Sequence, residues 1–163
     1  GRAVIAGRHH EGPGGGRAAD GGRTGAMGVL GMGVDLVHVP SFAEGLTRPG
    51  STFAASVFTV GERATATRRG LAGDALHRFL AGRWAVKEAV VKAWSQALYG
   101  SPPPIPRDEL DWRDIEVVAD AWGRVAVTFH GRVAESEIWP AEKCHVSISH
   151  DGEHAIATAV LSD

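Results

Sequence analysis

Three groups of residues have the types and spacing to do chemistry. Asp35 stands alone as a carboxylate in the apolar run 29–39, Val-Leu-Gly-Met-Gly-Val-Asp-Leu-Val-His-Val. Lys87, Glu88 and Lys92 lie within six residues of each other, and the chain has only three lysines in all. His145-Val-Ser-Ile-Ser-His150 places two imidazoles and two hydroxyls on one short segment. A carboxylate in an apolar strand is costly unless it is hydrogen-bonded, paired or bound to a metal. Asp35 therefore either caps a neighbouring turn or contributes hard oxygen ligands. Magnesium is commonly held by one or two carboxylates together with substrate phosphates and waters. Glu88 and Lys92 stand at i,i+4, the spacing of an ordinary helix ion pair. Their apolar flanks argue equally for a face that is not freely solvated. Ser147, Ser149 and His150 invite a serine-hydrolase reading, but the nucleophile-elbow pattern Gly-x-Ser-x-Gly is missing. Neither His145 nor His150 has a zinc-motif spacing, and each alone suits a core or strand-end histidine.

These residues need elements to hold them. The run 29–39 reads as a strand, apolar and β-branched, ended by Pro40. Period two puts Val29, Gly31, Gly33, Asp35 and Val37 on one face. Two glycines ahead of Asp35 suggest close backbone approach or a bend. Residues 41–47 suit a short helix with Ser41 as N-cap and Glu44 at capping-box spacing. Another helical piece opens at 58–63 and is interrupted at 70–73. The longest helix is expected from Asp74 to about Tyr99, with Leu76, Leu80, Trp84 and Val91 inward and Trp84, Glu88 and Lys92 on one stripe. A proline-rich connector, 101–110, follows it. Strands at 115–118 and 125–129 form a hairpin around the turn 121–124. Residues 131–138 suit a short helix. Strands at 145–149 and 155–161 make a second hairpin around 150–153. Strands and helices of mixed order with hairpins predict an α+β fold.

The first 26 residues differ from the rest. Nine are glycine and large apolar residues are nearly absent. Such a segment buries too little to offset its ordering entropy, so 1–26 reads as a disordered extension and 27–163 as the folded domain, starting at Met27. Cys144 is the single cysteine, which excludes an internal disulfide framework and a multi-cysteine zinc site. No apolar run reaches the roughly 20 residues of a membrane helix, and no signal-peptide pattern opens the chain. A cytoplasmic protein without membrane contact is the expectation. Net charge is −2, so the chain as a whole is no nucleic-acid binder. The segment 63–92, with seven basic and two acidic residues, is a local exception. It is either a solvated helix face or a site for an anionic partner.

Taken together the segments resemble the holo-acyl-carrier-protein synthases, the short type of 4′-phosphopantetheinyl transferase. Gly31-Met-Gly-Val-Asp35 is similar to their first signature and Phe58-Thr-Val-Gly-Glu62-Arg63 to their second. Phe79-Leu-Ala-Gly-Arg83-Trp-Ala-Val-Lys87-Glu88-Ala-Val-Val-Lys92 resembles their most specific helix, with Trp84 where phenylalanine is common. His145 to Asp151 resembles their C-terminal block. The likeness spans about 27–161.

The resemblance implies an antiparallel sheet packed on one long helix, and a homotrimer with active sites at subunit contacts. It implies transfer of 4′-phosphopantetheine from coenzyme A to a serine of apo-acyl carrier protein, for fatty acid or polyketide synthesis. Asp35 and Glu88 fall on magnesium ligands, with manganese a possible substitute. Lys92 and His150 fall on catalytic and coenzyme-contacting positions beside Glu88. Arg83 and Lys87 fall on motif positions that are phosphate-facing or structural. Members often carry an arginine six residues after the strand aspartate. This chain has Ser41 there, so docking of an acidic carrier is expected to rest on Arg48, Arg63, Arg68 or Arg69. Two other classes compete: a magnesium-dependent phosphohydrolase using Asp35 and Glu88 with water, and a non-catalytic module that binds anions through 63–92.

Overall fold

The computed structural model describes residues 28–163; the expectations for residues 1–26 and for a start at Met27 lie outside the described residues. Strand β1 (Val29–His38) joins β4 (Cys144–Asp151) and β5 (His154–Ser162) in an antiparallel sheet of order β1-β5-β4. A second sheet is the hairpin of β2 (Ile115–Ala119) and β3 (Val125–Phe129). Period two in β1 turns Gly31, Gly33, Asp35 and Val37 toward the covered face and leaves Met32, Val34 and Leu36 exposed.

Helix α4 (Gly73–Ala97) covers the sheet. Ala81, Ala85, Ala89 and Ala93 recur every four residues and are fully buried, as are Ala155 and Ala159 of β5. Small residues on both elements let the backbones approach closely. A Cβ on Gly33 would sit 2.1 Å from the Ala89 carbonyl oxygen, and one on Gly31 would sit 2.5 Å from that of Ala93. Only glycine fits at these two positions. Two strand residues advance about 6.6 Å and four helix residues about 6 Å, so the contacts stay in step. The next step along β1 brings Asp35 against the turn of α4 that carries Glu88.

Three short helices, α1 (Val39–Thr47), α2 (Phe53–Val57) and α3 (Val60–Arg68), precede α4. Val57, Phe58 and Ala66 of this region form a second core with Phe79 and Leu80 of α4. Helix α5 (Gly131–Glu135) follows the hairpin.

The α+β fold with its antiparallel sheet on one long helix is the expected one. Several boundaries differ. Helix α1 starts before Ser41: His38 is its N-cap and Pro40 lies in the first turn, where a missing N–H costs nothing. The Ser41 hydroxyl instead lies 2.7 Å from His38 Nδ1. The capping box forms at Thr59, whose hydroxyl accepts from the Glu62 amide (3.0 Å) while Glu62 Oε1 accepts from the Thr59 amide (2.9 Å). Asp74 lies in the first turn of α4 rather than at its N-cap, which is Ala72. Helix α2, at five residues, is too short to show a period and was not predicted. Helix α5 stops at Glu135, and Glu137 has φ of 49°, which no right-handed helix accommodates.

Candidate active site

The close contact of β1 and α4 gathers two carboxylates and two cations. Lys92, one turn beyond Glu88 on α4, donates from Nζ to Asp35 Oδ1 (2.9 Å) and to the Val34 carbonyl (3.1 Å). Arg107 reaches in from the connector and grips Glu88 through both oxygens, Nη2 to Oε1 at 2.6 Å and Nη1 to Oε2 at 3.0 Å. Burial pushes the Asp35 carboxyl above its ordinary value. The hydrogen bond and charge of Lys92 oppose that push, the nearby charge of Glu88 adds to it, and Arg107 opposes it weakly. Asp35 and Glu88 thus feel one another, as the register of β1 on α4 requires. Both carboxylates are mostly buried, but each is paired with a cation that is half-exposed or more.

Lys92 and Arg107 also edge a cleft of about 290 Å³ between the C-terminal half of α4 and the proline-rich connector. Its lining is mostly apolar, with Val91, Leu98, Pro104 and Ile105 among the wall residues. Arg107 was missed in the sequence, because a single arginine in a connector carries no periodic signal. The run of prolines before it was the only hint that its position is stiffly held.

Lys87 is adjacent to Glu88 and has a different fate. It is fully buried, and its ammonium donates to the carbonyls of Val57 (2.9 Å), Trp112 (3.0 Å) and Ile115 (2.5 Å) and pairs with Glu62 Oε1 (2.9 Å). Glu62 is equally buried, and its Oε2 accepts from the Val117 amide (2.9 Å). Burial pulls the Lys87 ammonium below its ordinary value, against the pull of Glu62. All three of its donors are consumed, so the geometry gives Lys87 the structural role and leaves it no proton to offer a phosphate. The expectation of Lys87 as a coenzyme-binding residue is corrected on this ground.

Arg83 lies nearer the N-terminus of α4, and His150 faces that part of the helix from β4. His150 Nε2 donates to the Arg78 carbonyl (3.0 Å), and its ring abuts Gly82. Gly82 is six residues before Glu88, about 9 Å along the helix. Arg83 is buried over the Phe79 ring at 3.8 Å, and its Nε has no hydrogen-bond partner. Burial, with some repulsion from Arg69, lowers its pKa to about 10, so it remains a cation at neutral pH. Arg83, His150, Arg124 and Ser147 line a polar cleft of about 420 Å³. One chain therefore holds two separate charged regions, the carboxylate pair with Lys92 and this cationic cleft. His145 is placed against Ser162 at 3.2 Å. Among the described residues, no three His, Cys, Asp or Glu side chains gather into a metal cluster. No described helix is long and apolar enough to cross a membrane.

A glycine-backed strand carboxylate beside a helix glutamate, flanked by cations and a cleft, defines an anion-handling enzyme site rather than a packing motif. Residues 31–159 match the model of the 4′-phosphopantetheinyl transferase superfamily, and the chain belongs to that family. Within it, the similar proteins are holo-[acyl-carrier-protein] synthases. That of Corynebacterium glutamicum is 50% identical over 136 residues, 82% of this chain and 98% of the relative. That of Mycobacterium tuberculosis is 46% identical over 136 residues, 83% of this chain and 98% of the relative. The Chronobacterium ammoniagenes ACPS–CoA complex is similar in structure, with a TM-score of 0.72 and 49% identity over 80% of this chain and 95% of that one. A holo-(acyl-carrier-protein) synthase from Bacillus anthracis, in complex with CoA (3′,5′-ADP), has a TM-score of 0.61 and 31% identity over 85% of this chain and 99% of that one.

Proposed function

We propose that this chain transfers 4′-phosphopantetheine from coenzyme A to a serine of an apo-acyl carrier protein, releasing adenosine 3′,5′-bisphosphate. The observation that carries the reading is the convergence of Asp35 and Glu88, each already satisfied by a breakable cation, beside a mostly apolar cleft. Phosphoryl transfer asks a protein for positioning and charge stabilisation more than for covalent help.

The donor set fits magnesium. Two carboxylates with no third carboxylate, histidine or cysteine gathered beside them among the described residues suit an ion that keeps waters and takes phosphate oxygens, and Asp35 and Glu88 would hold it. When bound, it supplies charge neutralisation at the diphosphate. Lys92 adds a compact point charge on the same side, which favours the departing phosphate. The cleft between α4 and the connector takes the apolar parts of coenzyme A. The nucleophile is the carrier's hydroxyl, and its proton passes to Glu88 or to a water.

The cationic cleft of Arg83 and His150 joins the same reaction when subunits share their sites. Met32, Val34 and Leu36 of β1 and Ile156 of β5 present an exposed apolar face on the open side of the sheet. We infer that a homotrimer covers this face and brings Arg83 and His150 of one subunit toward the carboxylate pair of another. Arg48, Arg63, Arg68 and Arg69 are all exposed and offer an acidic carrier its contacts, in place of the arginine that Ser41 replaces. A cytoplasmic location agrees with coenzyme A as donor.

The test is direct. The protein, coenzyme A, magnesium and an apo-carrier protein are incubated, and the carrier is weighed by mass spectrometry. A gain equal to the phosphopantetheine arm is expected, and it vanishes in Asp35→Ala and Glu88→Ala. Hydrolysis of simple phosphate esters without any gain on carriers favours the phosphohydrolase. Full activity in both variants ends the metal-site reading.

A further inference from the structure

Arg107 has a position that the reading above leaves unused. Its guanidinium spans both oxygens of Glu88, lies 4.9 Å from the Trp112 ring centre, and is still 59% exposed. A fork-to-fork pair of this kind uses both oxygens of the carboxylate. A divalent cation that takes Glu88 competes with it, because the two positive charges repel at contact distance. The base of Arg107 does not move easily. Prolines 102–104 and 106 stiffen the chain before it. Beyond it, the Trp112 carbonyl is tied to the buried Lys87 ammonium at 3.0 Å. The side chain, not the segment, is therefore what swings. The open space it can swing into is the cleft it edges beside Lys92, where an anionic ligand would meet it.

We propose that Arg107 is a positioning residue that exchanges partners: it holds Glu88 in the metal-free protein and turns to a phosphate of the coenzyme once a divalent cation takes Glu88. The proposal rests on the metal and coenzyme reading of this site. It makes the two ligands cooperative. Coenzyme draws Arg107 off Glu88 and so helps the metal, and by reciprocity the metal helps the coenzyme.

The experiment compares the full chain with Arg107→Gln and Arg107→Lys, using Mn²⁺ as the probe and the electron paramagnetic resonance signal of free Mn²⁺ as the readout. Without coenzyme, Arg107→Gln binds Mn²⁺ about 10-fold more tightly than the parent, and Arg107→Lys, which keeps charge but loses the fork, falls between. At saturating Mg²⁺, the KM for coenzyme A rises about 10-fold in Arg107→Gln while kcat stays within about 3-fold, since uniform binding is lost. Unchanged or weaker Mn²⁺ binding in Arg107→Gln overturns the proposal. Asp35→Asn separates the two levels. If it abolishes Mn²⁺ binding by the parent while Arg107→Gln changes nothing, only the exchange is wrong. If the parent binds no Mn²⁺ with or without coenzyme A, the site reading fails and the exchange with it. Thermal unfolding of each variant within a few degrees of the parent excludes misfolding as the cause.

Discussion

Lys87 and Glu88 are neighbours on one helix, and their surroundings could hardly differ more. Lys87 points into the body of the protein, where Glu62 and three carbonyls consume every proton it can share. Glu88 is itself mostly buried but faces the rim, where it is held by an arginine that water can reach. A buried cation so surrounded has no alternative partner, because leaving means being desolvated and alone. The arginine on Glu88 returns to water when it leaves, and an incoming cation keeps the carboxylate paired, so that exchange costs little. Sequence adjacency within a conspicuous motif therefore says little about shared duty. What separates structure from function here is whether an ion pair can be exchanged.

The sharpest way to break the contrast is Lys87→Ala. It strands Glu62 and opens a cavity, and the loss should be about 3–5 kcal/mol, read as a lower urea midpoint at unchanged slope. Combining Lys87→Met with Glu62→Gln should cost less than the sum of the single changes, with about 1–3 kcal/mol of coupling in the cycle. On the rim the pattern reverses. Glu88→Gln should leave the unfolding midpoint within a few degrees of the parent but lower the transfer rate about 10²–10³-fold, as measured by carrier mass gain. Gly33→Ala tests the frame beneath both residues. Its methyl would meet backbone 2.1 Å away, so about 1–3 kcal/mol of stability goes, and transfer falls further because Asp35 is two residues on. The smallest effect concerns Cys144. Burial raises its thiol pKa from 9.0 to about 12. The thiolate is therefore scarce in the folded protein at about pH 8, and thiol reagents should label it only after denaturation. Ready labelling of the native protein would place Cys144 outside the core.

Much of this was legible beforehand, for identifiable reasons. The β1 pattern was readable because period two is strict and the covered face carries Gly-x-Gly-x-Asp. The long helix was readable from its length, but the expected inward set of Leu76, Leu80, Trp84 and Val91 passed over the alanine stripe at every fourth residue that meets the sheet. The partition of Lys87 from Glu88 was not readable. A helical projection puts them about 100° apart, and only the position of Glu62, 25 residues earlier, decides which one is buried. Glu62 itself was visible as the third residue of a Thr-x-x-Glu capping box. The Ser-x-x-Glu at 41–44 has the same spacing, however, and Pro40 pre-empted it by starting the helix earlier. Arg107 was invisible because its partner is 19 residues away across a connector with no repeating pattern.

The strand and the helix that carry the two acids meet main chain to main chain, through Gly31 and Gly33. Side chains away from this contact can thus change in bulk with little effect on the gap between the acids, whereas Gly31, Gly33 and the buried alanines facing them set it. A protein engineer repacking this domain has latitude in the second core around Phe58 and Phe79 but not along this seam.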